Sequence, residues 1–184
     1  MTFSSKVKDE LLNVETIKPC CILAECYGLL LFGRGFSAGE VYISTENKNV
    51  ALRYKELVER FTENPCNVSE SASGKIKVSV GNKQDRLAVL NAFGYNGKER
   101  TRRLNWANIS EDCCIGSFLR GVFLACGTVN SPEKNYHLEF VVPHMYLSRD
   151  LQKFLSDNDM AAKEVSGTAP MFCILRIAAK SRIC

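Results

Sequence analysis

Apolar and polar positions alternate along the chain with two different periods, and the switches between them mark out a series of elements. The opening "FSSKVKDELLNV" is amphipathic with a helical period and predicts a short helix over about Ser4–Val14, capped by Ser4 or Ser5. Pro19 sits where its missing N–H costs a helix little, so it starts a longer apolar helix that Gly33 and Gly35 end. "GEVYIST" reads as a strand, and a helix over about Val50–Thr62 places Leu52, Leu57, Val58 and Phe61 on one side. "NVSESASGKIKVSV" is a hairpin turning at Gly74, and "NKQDRLAVLNAFG" a helix stopping at Gly94. "YNGKERTRRLNWANISED" has no apolar period and reads as a basic linker. A helix over Cys113–Cys126, the strand "YHLEFVV", a helix over about Ser148–Ser156 and a hairpin around "VSGTAPMFCILRI", turning at Ser166–Pro170, complete the chain.

The second series repeats the first. "CCILAECYGLLLFGRG" and "CCIGSFLRGVFLACGTVN" both open Cys-Cys-Ile and both place a glycine, Gly28 or Gly121, eight residues after the first cysteine, 93 positions apart. Glycine inside a helix costs roughly 1 kcal/mol relative to alanine, so a repeated one calls for a reason. Close approach of another backbone is such a reason: two repeat helices crossing at their glycines about a pseudo-twofold axis. The expected division is a first half over residues 1–94, a basic linker over 95–112 and a second half over 113–184. The final helix of the second half, due near Lys180, is cut short by the end of the chain at Cys184.

A chain of 184 residues with 46% hydrophobic and 24% charged residues can bury a real core. Its net charge of +4 permits nucleic-acid binding without requiring it. The N-terminus lacks a basic-then-apolar leader, and the longest apolar run, around Tyr27–Phe32, is far short of the ~20 residues that span a bilayer. A cytoplasmic protein without a membrane partner is therefore expected.

Nine cysteines are present, but none forms a C-x-x-C pair and only two histidines accompany them. Neighbouring helical residues diverge by roughly 100°, which argues against either Cys-Cys pair gripping one metal. The thiols are expected to be reduced and to act as small apolar residues, with no metal and no cofactor. His137 alternates with Glu139 on one strand face, which suggests a surface ion pair or a loop contact. No phosphate-cradling loop or nucleophile motif appears, so neither an enzyme nor a small-molecule substrate is expected.

Two basic features remain. In "KIKVSV", Lys75, Lys77 and Ser79 share one face, opposite Ile76, Val78 and Val80. The apolar face suits a helix layer and the lysine face suits phosphates, although strand lysines also discourage edge pairing. "GKERTRR" gathers Lys98, Arg100, Arg102 and Arg103, which fits either a phosphate clamp or a solvated linker.

Two helices with small residues at their contact, each followed by strands, resemble the LAGLIDADG homing-endonuclease fold. "LRGVFLACG", Leu119–Gly127, keeps the motif's leucine, interior glycine, alanine and final glycine, whereas "CYGLLLFGR", Cys26–Arg34, keeps the interior glycine. More narrowly, "FLRGVFLACGTVNSPEKNYHLEF", together with "FSSKVKDEL" and "CCILAE", resembles the WhiA family of bacterial sporulation and cell-division regulators. That resemblance implies an α+β fold of two pseudo-twofold-related halves, each with helices on a saddle-shaped antiparallel sheet. In the nucleases the eighth motif position is an acid that holds metal; here it is Gly33 or Cys126, and neither is a hard oxygen ligand. The nearest acids, Glu40 and Glu133, lie seven residues further on.

The resemblance thus implies a catalytically inactive, nucleoid-associated domain that contacts double-stranded DNA, with Arg34 at the base of the first helix as a further phosphate contact. The rival expectation is a docking platform for a sigma factor, and a metal-dependent nuclease is the least expected. The family's C-terminal helix-turn-helix is not found in this sequence.

Overall fold

The computed structural model describes residues 2–131, 137–165 and 173–178. Eight strands and six α-helices follow one another in two similar series among these residues. The first contains α1 (Phe3–Leu12), α2 (Pro19–Leu31), β1 (Gly35–Phe36), β2 (Val41–Thr45), α3 (Lys48–Val58), β3 (Asn67–Glu70), β4 (Ile76–Ser79) and α4 (Lys83–Ala92). The second contains α5 (Cys114–Cys126), β5 (Gly127–Val129), β6 (His137–Val142), α6 (Met145–Asp157), β7 (Ala162–Val165) and β8 (Cys173–Ala178). Each series builds an antiparallel four-stranded sheet, in the orders β1-β2-β4-β3 and β5-β6-β8-β7. The identical strand orders make the repeat visible in the topology.

The helices α2 and α5 pack on each other at the centre, and glycine is what lets them. A Cβ on Gly28 would lie 2.5 Å from the Phe118 carbonyl oxygen and 2.8 Å from the Val122 nitrogen. A Cβ on Gly121 would run into the Glu25 carbonyl oxygen and lie 2.9 Å from the Leu29 nitrogen. Each contact maps onto the other under the 93-residue offset, as a pseudo-twofold axis through the crossing requires. The helix pair is almost wholly apolar, with Tyr27, Leu29, Leu30, Leu31, Phe118 and Leu124 fully buried. Two charges interrupt it. Glu25 on α2, 1% exposed, accepts hydrogen bonds from Arg53 of α3 and from Arg120 of α5.

Several local expectations are corrected. Thr2, not Ser4 or Ser5, caps α1 by accepting from the Ser5 amide. Leu52 points to solvent at 64% exposure, and α3 instead buries Val50, Ala51, Tyr54, Leu57 and Val58. Phe32 caps the C-terminus of α2, and Gly35, expected as a helix stop, instead opens the two-residue strand β1, too short to leave a periodic trace. The basic linker is not a loose tether. Tyr95, Leu104 and Ile109 are buried, a 3-10 turn spans Trp106–Ile109, and the Asn105 amide donates to the Tyr27 hydroxyl at 2.7 Å. The expected turn at Ser166–Pro170, Glu133 and the short tail near Lys180 lie outside the described residues.

Candidate nucleic-acid interface

In the first sheet the helix layer covers one face, and the register sets what the other presents. Ser44 stands opposite Lys77 and Lys77 opposite Ser69; Tyr42 stands opposite Ser79 and Ser79 opposite Asn67. Ile76, Val78 and Val80 are buried while Lys75 and Lys77 are exposed, as the alternation in "KIKVSV" predicts. The outer face is therefore a ladder of hydroxyls, an amide and two lysines. Lys77 Nζ lies 4.1 Å from the Tyr42 ring centroid, which steadies the ammonium over the sheet.

An open groove runs across this face and reaches Thr128 of the second sheet. Its cationic lining is Lys8, Arg34, Lys75 and Lys77, its hydroxyl lining includes Ser4, Ser5, Ser44 and Thr45, and Glu46 is its one acid. Three residues expected from the sequence, Arg34, Lys75 and Lys77, are thus brought together. Lys8 was missed because nothing in an amphipathic N-terminal helix says which tertiary neighbour its lysine will meet.

The two helix ends above the sheets explain where Lys8 and the linker arginines go. Lys8 Nζ donates to the Leu124 carbonyl oxygen at 3.1 Å, at the C-terminal end of α5, and sits over the Phe123 ring. Arg102 Nη1 donates to the carbonyl oxygens of Leu31 and Gly33, at 3.2 and 2.9 Å, at the C-terminal end of α2. Helix C-termini carry partial negative charge and unpaired carbonyls, so a cation is the group each end favours. Burial pushes both Lys8 and Arg102 below their ordinary values.

Arg102 therefore turns inward, and Arg103 is held by a bidentate ion pair to Asp150, both contacts 2.8 Å. Of the four basic residues expected in a linker clamp, Lys98, Arg100 and Arg103 are exposed, Arg103 within its ion pair to Asp150, and Arg100 lines a separate cavity with Phe36, Tyr95 and Met145.

The two positions that align with the motif acid hold a thiol and a glycine. Burial pushes the Cys126 thiol up to about 12, so it stays protonated at neutral pH, beside Lys8 and Arg34. A Cβ on Gly33 would lie 3.0 Å from the Leu29 carbonyl oxygen, 3.2 Å from that of Leu30 and 3.3 Å from that of Tyr42. Any side chain there would be pressed among carbonyl oxygens. Glu40 is exposed and sits in the tight turn between Ser37 and β2.

In the second sheet Glu139 does not pair with His137. Its carboxylate takes Arg176 of the adjacent strand, at 2.8 Å from Nε and 2.6 Å from Nη2, which offsets the one acid of that strand face.

Two helices crossing at glycines over two antiparallel sheets define the LAGLIDADG homing-endonuclease fold. A crystal structure of the nuclease I-DmoI in complex with DNA and Mn superposes with a TM-score of 0.60 at 14% identity, over 86% of this chain and 90% of that one. Residues 115–178 match the family model of the WhiA LAGLIDADG-like domain. A curated relative from Alkaliphilus metalliredigens, named probable cell division protein WhiA, is 29% identical over 181 residues, 90% of this chain and 57% of its own. A full-length DUF199/WhiA crystal structure from Thermatoga maritima superposes with a TM-score of 0.72 at 20% identity, over 98% of this chain and 58% of that one. The chain is thus similar over most of its length to proteins of the WhiA family, with the family's LAGLIDADG-like domain matched at residues 115–178, and it spans about half the length of the curated relatives it matches. No helix among the described residues is long and apolar enough to cross a membrane.

Proposed function

We propose that this domain binds duplex DNA without cutting it, as part of a regulator of cell division and sporulation genes in the cytoplasm. The observation that carries the reading is the first sheet's outer face, where Lys75 and Lys77 stand among hydroxyls in a groove that also holds Lys8 and Arg34. Phosphate contacts of this kind supply affinity and register, whereas base-edge contacts supply sequence specificity. The I-DmoI neighbour supports the choice of ligand, since it is described in complex with DNA.

Fluorescence anisotropy of a labelled duplex tests it. Binding is expected at ~50 mM salt and should weaken steeply as salt rises. Lys75→Glu/Lys77→Glu should lower affinity by about tenfold or more and reduce the salt slope by about 2. Lys98→Glu/Arg100→Glu, outside the groove, should change affinity less. Absence of binding at low salt, or indifference to the first pair, would favour the docking platform for a sigma factor instead.

Loss of cleavage is proposed on different ground. A carboxylate pair would need the two helix ends to hold metal, and Lys8 and Arg102 already compensate those ends. Restoring the motif acids as Gly33→Asp/Cys126→Asp is therefore expected to leave supercoiled plasmid intact with magnesium, because the carboxylate introduced at position 126 would pair with Lys8. Nicking by the double variant would show that only the acids were missing. Nicking by the unaltered chain would overturn the non-catalytic reading.

A further inference from the structure

Cys20 and Cys21 stand in the first turn of α2, and Cys113 and Cys114 at the start of α5. The two pairs are related by the same offset as the glycines, 93 positions. Taken singly, neither pair resembles a metal site. The helix crossing changes this, because α2 and α5 bring their N-terminal ends together at the end of the pair remote from the groove. All four sulfur atoms lie within 4.8 Å of one another. Cys20 Sγ is 3.7 Å from Cys113 Sγ and 4.0 Å from Cys21 Sγ. Cys21 and Cys114 are buried, Cys20 is half-buried and Cys113 is exposed, so the cluster has a covered floor and an open mouth.

We propose that Cys20, Cys21, Cys113 and Cys114 form a tetrathiolate site for a zinc ion, built across the pseudo-twofold axis. A tetrahedral centre with Zn–S bonds of about 2.3 Å separates its sulfurs by about 3.8 Å. The Cys20–Cys113 and Cys20–Cys21 separations already match, and since all four sulfurs lie within 4.8 Å, none exceeds that value by more than about 1 Å, a distance that rotation of a cysteine side chain covers. An all-sulfur donor set selects a soft cation, and four protein ligands with no open position describe a structural site rather than a catalytic one. A cubane iron–sulfur cluster, with its irons at separate corners, needs more widely spread thiolates.

Binding is a proton-releasing exchange. Four Zn–S bonds form, each thiol still protonated loses its proton to solvent, and the centre carries a charge of −2. The positive ends of α2 and α5 face that charge. Such a centre would bind one helix of each half to the other, so its stability would become stability of the twofold itself.

The full chain, reduced with a phosphine and stripped with EDTA, is titrated with cobalt(II). One equivalent should produce a thiolate-to-cobalt charge-transfer band and the intense d–d bands of a tetrahedral sulfur site, and zinc should bleach them. Cys20→Ser/Cys113→Ser should abolish these bands at equimolar cobalt, while Cys126→Ser should leave them unchanged. X-ray absorption on the zinc-loaded, unaltered chain should show four sulfurs at about 2.3 Å, which does not depend on the serine variant folding. Absence of tetrahedral sulfur bands, nitrogen or oxygen ligands in the absorption spectrum, iron rather than zinc in the protein as purified, or a Cys20–Cys113 disulfide persisting under reduction would each overturn the site.

Discussion

Gly121→Ala is expected to destabilise the domain by about 1–3 kcal/mol, even though alanine is the better helix former by roughly 1 kcal/mol. The added methyl group has no flexible neighbour to displace. It meets the Glu25 carbonyl oxygen, the Glu25 carbonyl carbon at 3.0 Å and the Leu29 nitrogen at 2.9 Å, all backbone of the opposing helix. Relief requires α2 and α5 to move apart, which loosens contacts along the whole helix pair. Gly121→Val, with two further carbons, is expected to leave too little stability for a folded domain at 37 °C. The control lies on the same helix: a Cβ on Gly116 would meet nothing within 4 Å. Gly116→Ala is therefore expected to stabilise, by up to about 1 kcal/mol. Urea denaturation of the two alanine variants reads opposite signs if the crossing is tight. A stabilising Gly121→Ala would mean that the helices do not meet there.

The helix crossing was legible in the sequence because its device is costly. A glycine in the middle of an apolar helix stands out against propensity, and its recurrence at a fixed offset exposes the symmetry. The Lys75–Lys77 face was legible for a similar reason, since a period of two over "KIKVSV" admits one buried face only. The linker arginines were not legible, because Arg102 and Arg103 have the composition of a solvated tether and the structure turns them onto a helix end and onto Asp150. Lys8 depends on the packing of α1 against α5, which no local pattern encodes. The cysteines failed differently. The divergence of neighbouring helical residues did not separate the thiols, since Cys20 Sγ and Cys21 Sγ lie 4.0 Å apart, and the offset that relates Gly28 to Gly121 also relates Cys20 to Cys113. Applying the symmetry to the thiols as well as to the glycines would have brought the four together. Glu25 and Arg120 also left a signal: each is a lone charge in an otherwise apolar helix, and such a charge needs a buried partner.

That pair carries the largest expected effect of a single side chain. Glu25→Leu should cost about 3–5 kcal/mol, the range for removing one partner of a buried ion pair, out of the ~5–15 kcal/mol that holds a domain folded. The asymmetry between its two arginines decides where the cost falls. Arg53 is 23% exposed and also pairs with Glu56 at 3.0 Å, so it can turn to water when Glu25 is gone. Arg120 is 8% exposed, and its Nε already lacks a hydrogen-bond partner. Its remaining contacts, to the Val14 carbonyl and the Thr16 hydroxyl, are neutral and leave the guanidinium charge uncompensated. Arg120→Met in the Glu25→Leu background should then recover most of the lost stability, since an apolar pair of similar volume is often as stable as a buried ion pair. Val14 is exposed and Thr16 half-buried, so water can reach both in exchange. The double-mutant cycle should return a coupling of more than about 1 kcal/mol, whereas simple additivity within about 0.5 kcal/mol would mean that Glu25 is held by α3 alone. Strong coupling would show that the one buried acid in α2 is retained for its partner in α5, so the two repeat helices are joined by charge as well as by close packing.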